Sequence, residues 1–211
     1  MTEIMDYRKE YKDLYLPKNE PSLIKIPAMN FVAVDGQGSP NEPDGEYKKA
    51  LEVLYAIQYS VKMSKKGSSM PNGYFDYVVP PLEGLWWLPD SSPDFRDKSR
   101  YQWVSMIRLP EFVSKDVFKW ACSEAAGKKK IDTCKAYFFR FTEGLCVQCM
   151  HTGPFDNEPK TLAKMDVYIN ENNLIKDISD KRRHHEIYLS DPRKIEPAKM
   201  KTVLRIPVKK R

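Results

Sequence analysis

The chain is predicted to contain the same order of elements twice: a strand, a turn, a helix and two strands. The strand at residues 28–35 (AMNFVAVD) is followed by the turn-forming segment GSPNEP at 38–43. A similar segment, GPFDNEP at 153–159, follows a strand predicted to end at His151. A shared order and a shared turn indicate a duplicated fold. We therefore predict an α+β protein in which two strand–helix–strand–strand units form curved antiparallel sheets, with helices outside and a central ligand cleft.

The first repeat, about residues 28–109, contains a long amphipathic helix. Asp44 is positioned to cap a helix that begins near Gly45, and apolar residues then recur at helical spacing. These apolar positions are Ala50, Val53, Leu54, Ile57 and Val61. The repeat continues with a loop at residues 89–97 and with strands at 74–79, 84–88 and 101–109.

A short helix with Ser114 as its cap is predicted to follow, at residues 114–126. Residues 136–141 and 145–151 are predicted to pair as a hairpin around the segment TEG at 142–144. The second repeat, about residues 145–208, then adds a helix at 158–172 and strands at 185–189 and 201–206.

The formal net charge of +6 raises nucleic acid as a partner, but the basic residues are not arranged in one stripe. They form separate clusters at residues 128–130, 181–183 and 209–211, which we interpret as solvated loops and a tail. We expect no direct nucleic-acid binding. No apolar run reaches the roughly 20 residues that a membrane helix needs, and the N-terminus has no apolar signal-peptide centre. These features predict a cytoplasmic protein with no membrane partner.

The spacing C-x2-C-x-H of Cys146, Cys149 and His151 superficially resembles a metal or redox site. Strand alternation places Cys146 on one face and the other two residues on the opposite face. A second ligand pair of matching spacing is missing from the sequence. We therefore predict free thiols, no bound metal and a structural role for His151.

Aromatic residues make up 12% of the chain, which suggests that some ring surface serves a ligand as well as the core. Six of them are candidates for the walls of a slot that holds a planar molecule: Trp86, Trp87, Trp103, Tyr137, Phe139 and Phe141. Each could instead pack in the core, and only one of the adjacent pair Trp86 and Trp87 can face a cleft.

Two sequence blocks, HTGPF at 151–155 and HHEIYLSDPR at 184–193, are similar to those of the GyrI-like small-molecule-binding family. The resemblance extends from about residue 28 to 208, so residues 28–211 are interpreted as one such domain and residues 1–27 as an N-terminal strap. It implies a duplicated strand–helix–strand–strand fold with an aromatic cleft and a buried glutamate, which corresponds to Glu186. The family includes multidrug-responsive transcription activators, which carry a helix-turn-helix domain. The 27 residues before the first strand are too few for such a domain, so we do not expect a transcription factor.

Alternation along the strand at 185–189 places His184, Glu186 and Tyr188 on one face, which we predict to be the ligand face. A carboxylate that loses solvation among rings becomes a stronger base, and it can also attract a cation. Tyr188 could donate a hydrogen bond to a developing oxyanion, or it could be a packing residue. Zinc chemistry of the H-E-x-x-H type is excluded because residue 189 is leucine.

The resemblance implies binding of planar hydrophobic or cationic aromatic molecules. Some members of the family hydrolyse cyclopropanoid DNA-alkylating compounds, so xenobiotic detoxification is the leading hypothesis. Water would be the nucleophile and Glu186 the base, so this hydrolase would need no cofactor. Two alternatives remain: a non-catalytic protein that sequesters drugs in the same cleft, and a gyrase-inhibitor-like protein that contacts a topoisomerase.

Overall fold

The computed structural model describes residues 4–67, 69–89 and 97–211. The strands in these ranges are β1 Ser22–Gln37, β2 Leu82–Trp87, β3 Gln102–Arg108, β4 Ala136–Thr152, β5 Leu174–Lys176, β6 His184–Tyr188 and β7 Lys201–Lys210. The helices are α1 Tyr7–Glu10, α2 Lys12–Tyr15, α3 Glu46–Met63, α4 Lys115–Lys129 and α5 Glu158–Glu171, with 3-10 turns at Ser64–Lys66, Lys98–Arg100, Phe155–Asn157 and Pro197–Lys199. The α+β class is confirmed. The predicted order recurs as β1, α3, β2, β3 and as β4, α5, β6, β7, with β5 added.

The chain divides into two compact units. The first contains residues 4–7 and the described parts of Met29–Pro80 and Trp86–Phe141. The second contains Arg8–Ala28, Pro81–Leu85 and Thr142–Arg211. None of the helices in the described ranges is both long and apolar enough to cross a membrane.

In the first unit, helix α3 buries the apolar face that its sequence predicts. All five predicted positions of that face are buried. The predicted cap is wrong, however, because the N-cap is Gly45 without a side-chain hydrogen bond, and Asp44 instead pairs with Lys48 at 3.2 Å. The cap of α4 is confirmed: Ser114 Oγ accepts a hydrogen bond of 3.2 Å from the backbone N–H of Val117.

Strand β1 pairs antiparallel with β3, and Gly36 lies directly opposite Trp103. A Cβ atom at residue 36 would lie 2.2 Å from Cη2 of Trp103, so the indole occupies the space that any other residue would need. The aromatic ring of Trp103 also packs edge-on against Tyr47, with 5.1 Å between the ring centroids. Glycine at this strand position therefore lets a large ring pack closely against the backbone.

The strand predicted at residues 74–79 is not present; only Tyr77 forms an isolated bridge, with Met5. Side chains hold this segment against the end of α3 instead. The hydroxyl of Tyr74 donates to the carbonyl of Lys62 at 2.8 Å, and the hydroxyl of Tyr77 donates to the carbonyl of Gln58 at 3.3 Å. Side-chain contacts to the helix replace the strand ladder that local propensity suggested.

In the second unit, β7 pairs antiparallel with β4, β5 and β6. Helix α5 contributes Met165 and Ile169 to the core of this unit. The strands contribute the other buried members of that core, which are Val147, Cys149, Leu174, Leu204, Ile206 and Val208. Strand β6 pairs along β7, with Glu186 directly opposite Leu204.

The predicted hairpin around residues 142–144 is wrong, because β4 is one continuous strand from Ala136 to Thr152. Gly144 has a φ of +77°, which glycine adopts without strain, but the chain does not reverse there. The guanidinium of Arg182 donates to the carbonyl of Glu143 at 3.1 Å and to that of Leu145 at 2.5 Å. A long-range side chain thus satisfies the backbone on both sides of the glycine, and the strand continues.

Candidate functional site

Strand β6 has two different faces. The side chains of His184, Glu186 and Tyr188 are partly exposed, whereas His185 and Ile187 are buried. This is the alternation that the sequence predicts, and it results from the two-residue period of an extended strand. The partly exposed face carries the only charged group that we predicted to contact a ligand.

The carboxylate of Glu186 is held at both oxygens. The hydroxyl of Tyr188 donates to Oε2 at 2.7 Å, and Nε2 of His184 lies within hydrogen-bonding distance of Oε1, at 3.1 Å. The Glu186 side chain is 15% exposed. A carboxylate oxygen can accept two hydrogen bonds, so each oxygen can still accept one from a water molecule or a ligand.

The two motifs that carry the family resemblance meet at Tyr188, next to this carboxylate. The ring of Phe155 packs edge-on against the ring of Tyr188, with 5.9 Å between centroids and an angle of 87°. Tyr188 in turn contacts Glu186, so the turn after β4 is linked to the carboxylate through one ring. Sequence reasoning assigned Phe155 to a motif but gave it no role in the site.

On the opposite face of β6, His185 lies between two carboxylates. Its Nε2 atom is 3.0 Å from Oε2 of Glu83, and its Nδ1 atom is 3.0 Å from Oε2 of Glu143. Arg205 approaches the same oxygen of Glu143 at 3.2 Å. We call Glu83, Glu143, His185 and Arg205 the buried quartet, because all four side chains have at most 1% exposure. With His185 protonated, two positive charges balance two negative ones.

The quartet shifts the ionisation of its own members. Burial opposes ionisation of Glu143, but the charges of His185 and Arg205 outweigh it and lower the pKa of Glu143 to about 2. Burial likewise lowers the pKa of His185, but the carboxylates of Glu143 and Glu83 outweigh that effect and raise this pKa to about 9. The ion pairs therefore favour the fully charged state near neutral pH.

The quartet also anchors residues that precede β1. The guanidinium of Arg205 donates to the carbonyl of Leu14 at 2.6 Å, and the hydroxyl of Tyr15 donates to Glu83 at 3.4 Å. The amide of Gln148 donates to the carbonyl of Asp13 at 2.7 Å. The region that we predicted as a strap thus contains helices α1 and α2, and the second helix is tied to the sheet of the second unit.

The three predicted tryptophans of the slot differ in exposure. Trp103 is fully buried, so its place is in the core of the first unit. Trp86 is half-buried beside Tyr47 and Tyr101, with centroid distances of 5.5 and 5.8 Å. Trp87 is also half-buried, and its Nε1 donates to Gln102 at 2.6 Å.

The other three predicted slot residues form a row on one face of β4. Tyr137 contacts Phe139 edge-on at 5.7 Å, and Phe139 stacks on Phe141 at 5.3 Å. Phe141 is buried, and the hydroxyl of Tyr137 donates to Asp35. All six aromatic candidates belong to the first unit, whereas Glu186 and Tyr188 belong to the second. A role of these rings in ligand binding stays a prediction.

The residues of the C-x2-C-x-H pattern have separate surroundings. Burial, together with the charge of Glu143, raises the pKa of the Cys146 thiol, and burial raises that of Cys149 to about 11. The ring nitrogens of His151 lie 2.9 Å from Oγ1 of Thr161 and 3.1 Å from the carbonyl of Pro154. Both thiols are therefore protonated at neutral pH, and His151 holds the turn that follows β4.

Residues 19–209 match the model of the GyrI-like small molecule binding domain. The crystal structure of an uncharacterized conserved protein from Listeria innocua is 48% identical, with a TM-score of 0.92 over 97% of this chain and 100% of that one. The crystal structure of a hydrolase from the same organism is 47% identical, with a TM-score of 0.89 over 97% of this chain and 100% of that one. The EcmrR C-terminal domain shares the fold at 13% identity, with a TM-score of 0.54 over 91% of this chain and 98% of that domain. No functionally curated protein matches the chain.

Proposed function

Because the chain belongs to the GyrI-like small molecule binding domain family, we propose that it binds planar hydrophobic molecules, including aromatic cations, and hydrolyses electrophilic ones. The observation that supports this proposal most directly is the carboxylate of Glu186. It is partly buried and held at both oxygens by Tyr188 and His184 on one face of β6. Such a group can pair with a cation or accept a proton from water.

The hydrolytic part of the proposal is supported by relatives that are 47% identical and are described as hydrolases from Listeria innocua. For a cyclopropanoid alkylating compound, the oxygen of a water molecule would bond to the electrophilic ring carbon. The carbon–carbon bond of the strained ring would break, and its electron pair would pass to the conjugated carbonyl. Glu186 would take the proton from water and return it to the product. The product is the substrate plus one water, so the reaction needs no oxidant, reductant or cofactor. The role would be detoxification of xenobiotics.

We assign Tyr188 to the positioning of Glu186. Its hydroxyl proton is donated to Oε2 at 2.7 Å, so an oxyanion role would require the hydroxyl to turn away from the carboxylate. This hydrogen bond holds the carboxylate of Glu186 in one orientation, and so it also sets the direction of the lone pairs that remain on its oxygens. The tyrosine would therefore act on the reaction through the base.

The partly exposed rings of the first unit are proposed as ligand contacts: Trp86, Trp87, Tyr137 and Phe139. A planar ligand that stacks on either tryptophan should quench its fluorescence saturably. If the ligand stacks on one of them, the variant Trp86→Phe or Trp87→Phe that lacks that ring should lose the quenching. Unchanged quenching in both variants would contradict these contacts.

Glu186→Gln is the substitution that tests the proposal. It keeps the shape of the side chain and removes its charge and basicity. We expect binding of a neutral cyclopropanoid compound to persist, while turnover falls by about 10²- to 10⁴-fold. Turnover is measured by mass spectrometry as a gain of one water. The matched control is Glu196→Gln, which changes a 72%-exposed glutamate paired with Lys199 and should leave turnover unchanged.

Binding of one equivalent of compound per protein without formation of the hydrated product would show stoichiometric capture instead of catalysis, and the alternative of a sequestering protein would then hold. A Glu186→Gln variant that binds cationic and neutral ligands and hydrolyses like the parent would contradict the assignment of Glu186.

A further inference from the structure

The exposed ring of Phe155 packs against Tyr188, the residue that donates a hydrogen bond to the proposed base. Phe155 is 38% exposed. It begins the 3-10 turn Phe155–Asn157, which leads into α5. The backbone of this turn therefore sets the position of the Phe155 side chain.

His151 holds this turn in place. It is buried, with one ring nitrogen 3.1 Å from the carbonyl of Pro154 and the other 2.9 Å from Oγ1 of Thr161 on α5. Gly153 has a φ of +134°, which residues other than glycine rarely adopt, and its N–H donates to the carbonyl of Met200 at 2.9 Å. The position of Phe155 is thus set by contacts on both sides of the turn.

Phe155 reaches Glu186 through one intermediate ring. Its edge-on contact with Tyr188 has a centroid distance of 5.9 Å, and Tyr188 donates to Glu186 at 2.7 Å. The tyrosine therefore contacts both the exposed ring and the carboxylate. A ligand that pairs with the carboxylate can lie against the ring if it is flat.

We propose that Phe155 is a ligand-contacting residue that determines specificity, and that it selects planar aromatic ligands over aliphatic ones at Glu186. This inference rests on the proposed binding function of Glu186. Stacking against a ring adds affinity beyond area burial only when the ligand itself has a π system. An aliphatic cation can pair with the carboxylate but cannot stack on the ring.

The test uses two probes of equal charge: proflavine, a planar aromatic cation, and decylammonium, an aliphatic one. Phe155→Leu keeps an apolar side chain and removes the ring. By calorimetry, we expect the Kd of proflavine to rise about 3- to 10-fold, and that of decylammonium to change less than about twofold. Phe155→Tyr restores a ring and should bind proflavine like the parent. Tyr59→Leu is the control, since it removes an exposed ring on α3 that contacts Lys129.

Glu186→Gln, measured with the same probes, separates the two proposals, because it should weaken both cations. If Phe155→Leu leaves the proflavine Kd unchanged while Glu186→Gln weakens both probes, the assignment of Phe155 is wrong and the proposed function stands. If Glu186→Gln binds both probes like the parent, the proposed function fails. If Phe155→Leu raises the Kd of both probes by the same factor, Phe155 does not select aromatic ligands over aliphatic ones, and the inference is wrong.

Discussion

The Nδ1 atom of His185 lies 3.0 Å from Oε2 of Glu143, and both side chains are 1% exposed. His185 is the neighbour of Glu186 on β6, so the strand carries a proposed base on one face and a buried ion pair on the other. Buried charges lose hydration, and only good geometry with further partners offsets that loss. Here the partners are Glu83 and Arg205, which complete a neutral quartet.

Removal of one charge from the quartet should destabilise the fold strongly. In Glu143→Gln, His185 and Arg205 lose a shared carboxylate in a buried environment. We expect the free energy of unfolding to fall by about 3–5 kcal/mol, measured by urea denaturation. The variant Glu196→Gln breaks an exposed pair and should change it by less than about 1 kcal/mol.

A double variant tests whether the loss comes from the uncompensated charge. Glu143→Gln combined with His185→Gln should cost less than the sum of the two single changes, because their side chains are in contact. Additive costs would show that Glu143 and His185 do not interact in the folded chain.

The stability of the fold should decrease in mild alkali. His185 has an ordinary pKa of 6.5, raised to about 9 in the folded chain. Its contribution to stability is therefore complete below pH 6.5 and is lost as the pH rises through about 9.

Urea denaturation at several pH values between 6 and 10 measures this loss. The profile of His185→Gln should be flatter over the same range, and equal slopes would contradict the assignment. At low pH the sign is opposite: the pKa of Glu143 is lowered from 4.5 to about 2, so its contribution is lost as the pH falls through about 2.

Two glycines should respond to alanine in opposite directions. At Gly36, the new Cβ would lie 2.2 Å from Trp103, so the indole or the strand must shift. We expect a loss of about 1–3 kcal/mol in the free energy of unfolding. At Gly127, in helix α4, nothing lies within 4 Å of the new Cβ, and alanine should stabilise the fold by up to about 1 kcal/mol. If Gly36→Ala is as stable as the parent, Trp103 does not pack tightly against the backbone at residue 36.

Tyr188→Phe should separate binding from turnover. The variant keeps a ring against Phe155 and removes the hydroxyl that donates to Glu186. A hydrogen bond to a charged group contributes about 1.5–3 kcal/mol, so we expect kcat to fall by about 10- to 100-fold. The Kd of a neutral ligand should change less than about twofold, because the ring surface remains. Unchanged kcat would show that the hydroxyl does not position the base.

Several local features followed from the sequence because they depend on backbone geometry alone. The alternation that separates His185 from Glu186 has the two-residue period of any extended strand. The buried face of α3 has the helical period, and the hydroxyl of Ser114 caps α4 through a contact only three residues away. Interactions between residues that are close along the chain leave a pattern in the sequence, so they can be predicted from it.

Other features required the tertiary structure. Gly144 permits either a turn or a continued strand, and the guanidinium of Arg182, from a distant part of the chain, favours the strand. Likewise, the sequence pattern places Glu143 in a turn, yet in the structure it is buried and pairs with His185.

The buried quartet is the clearest case. Its four members are separated by about 20 to 120 residues along the chain and share no motif, so no local pattern links them. Burial of a charge is favourable only when its partners arrive in the correct geometry, and that geometry is set by the pairing of β6 with β7 and by the course of β4. The sequence therefore determined which face of β6 carries Glu186. Only the assembled sheet decided that a buried ionic quartet lies on the opposite face of the strand.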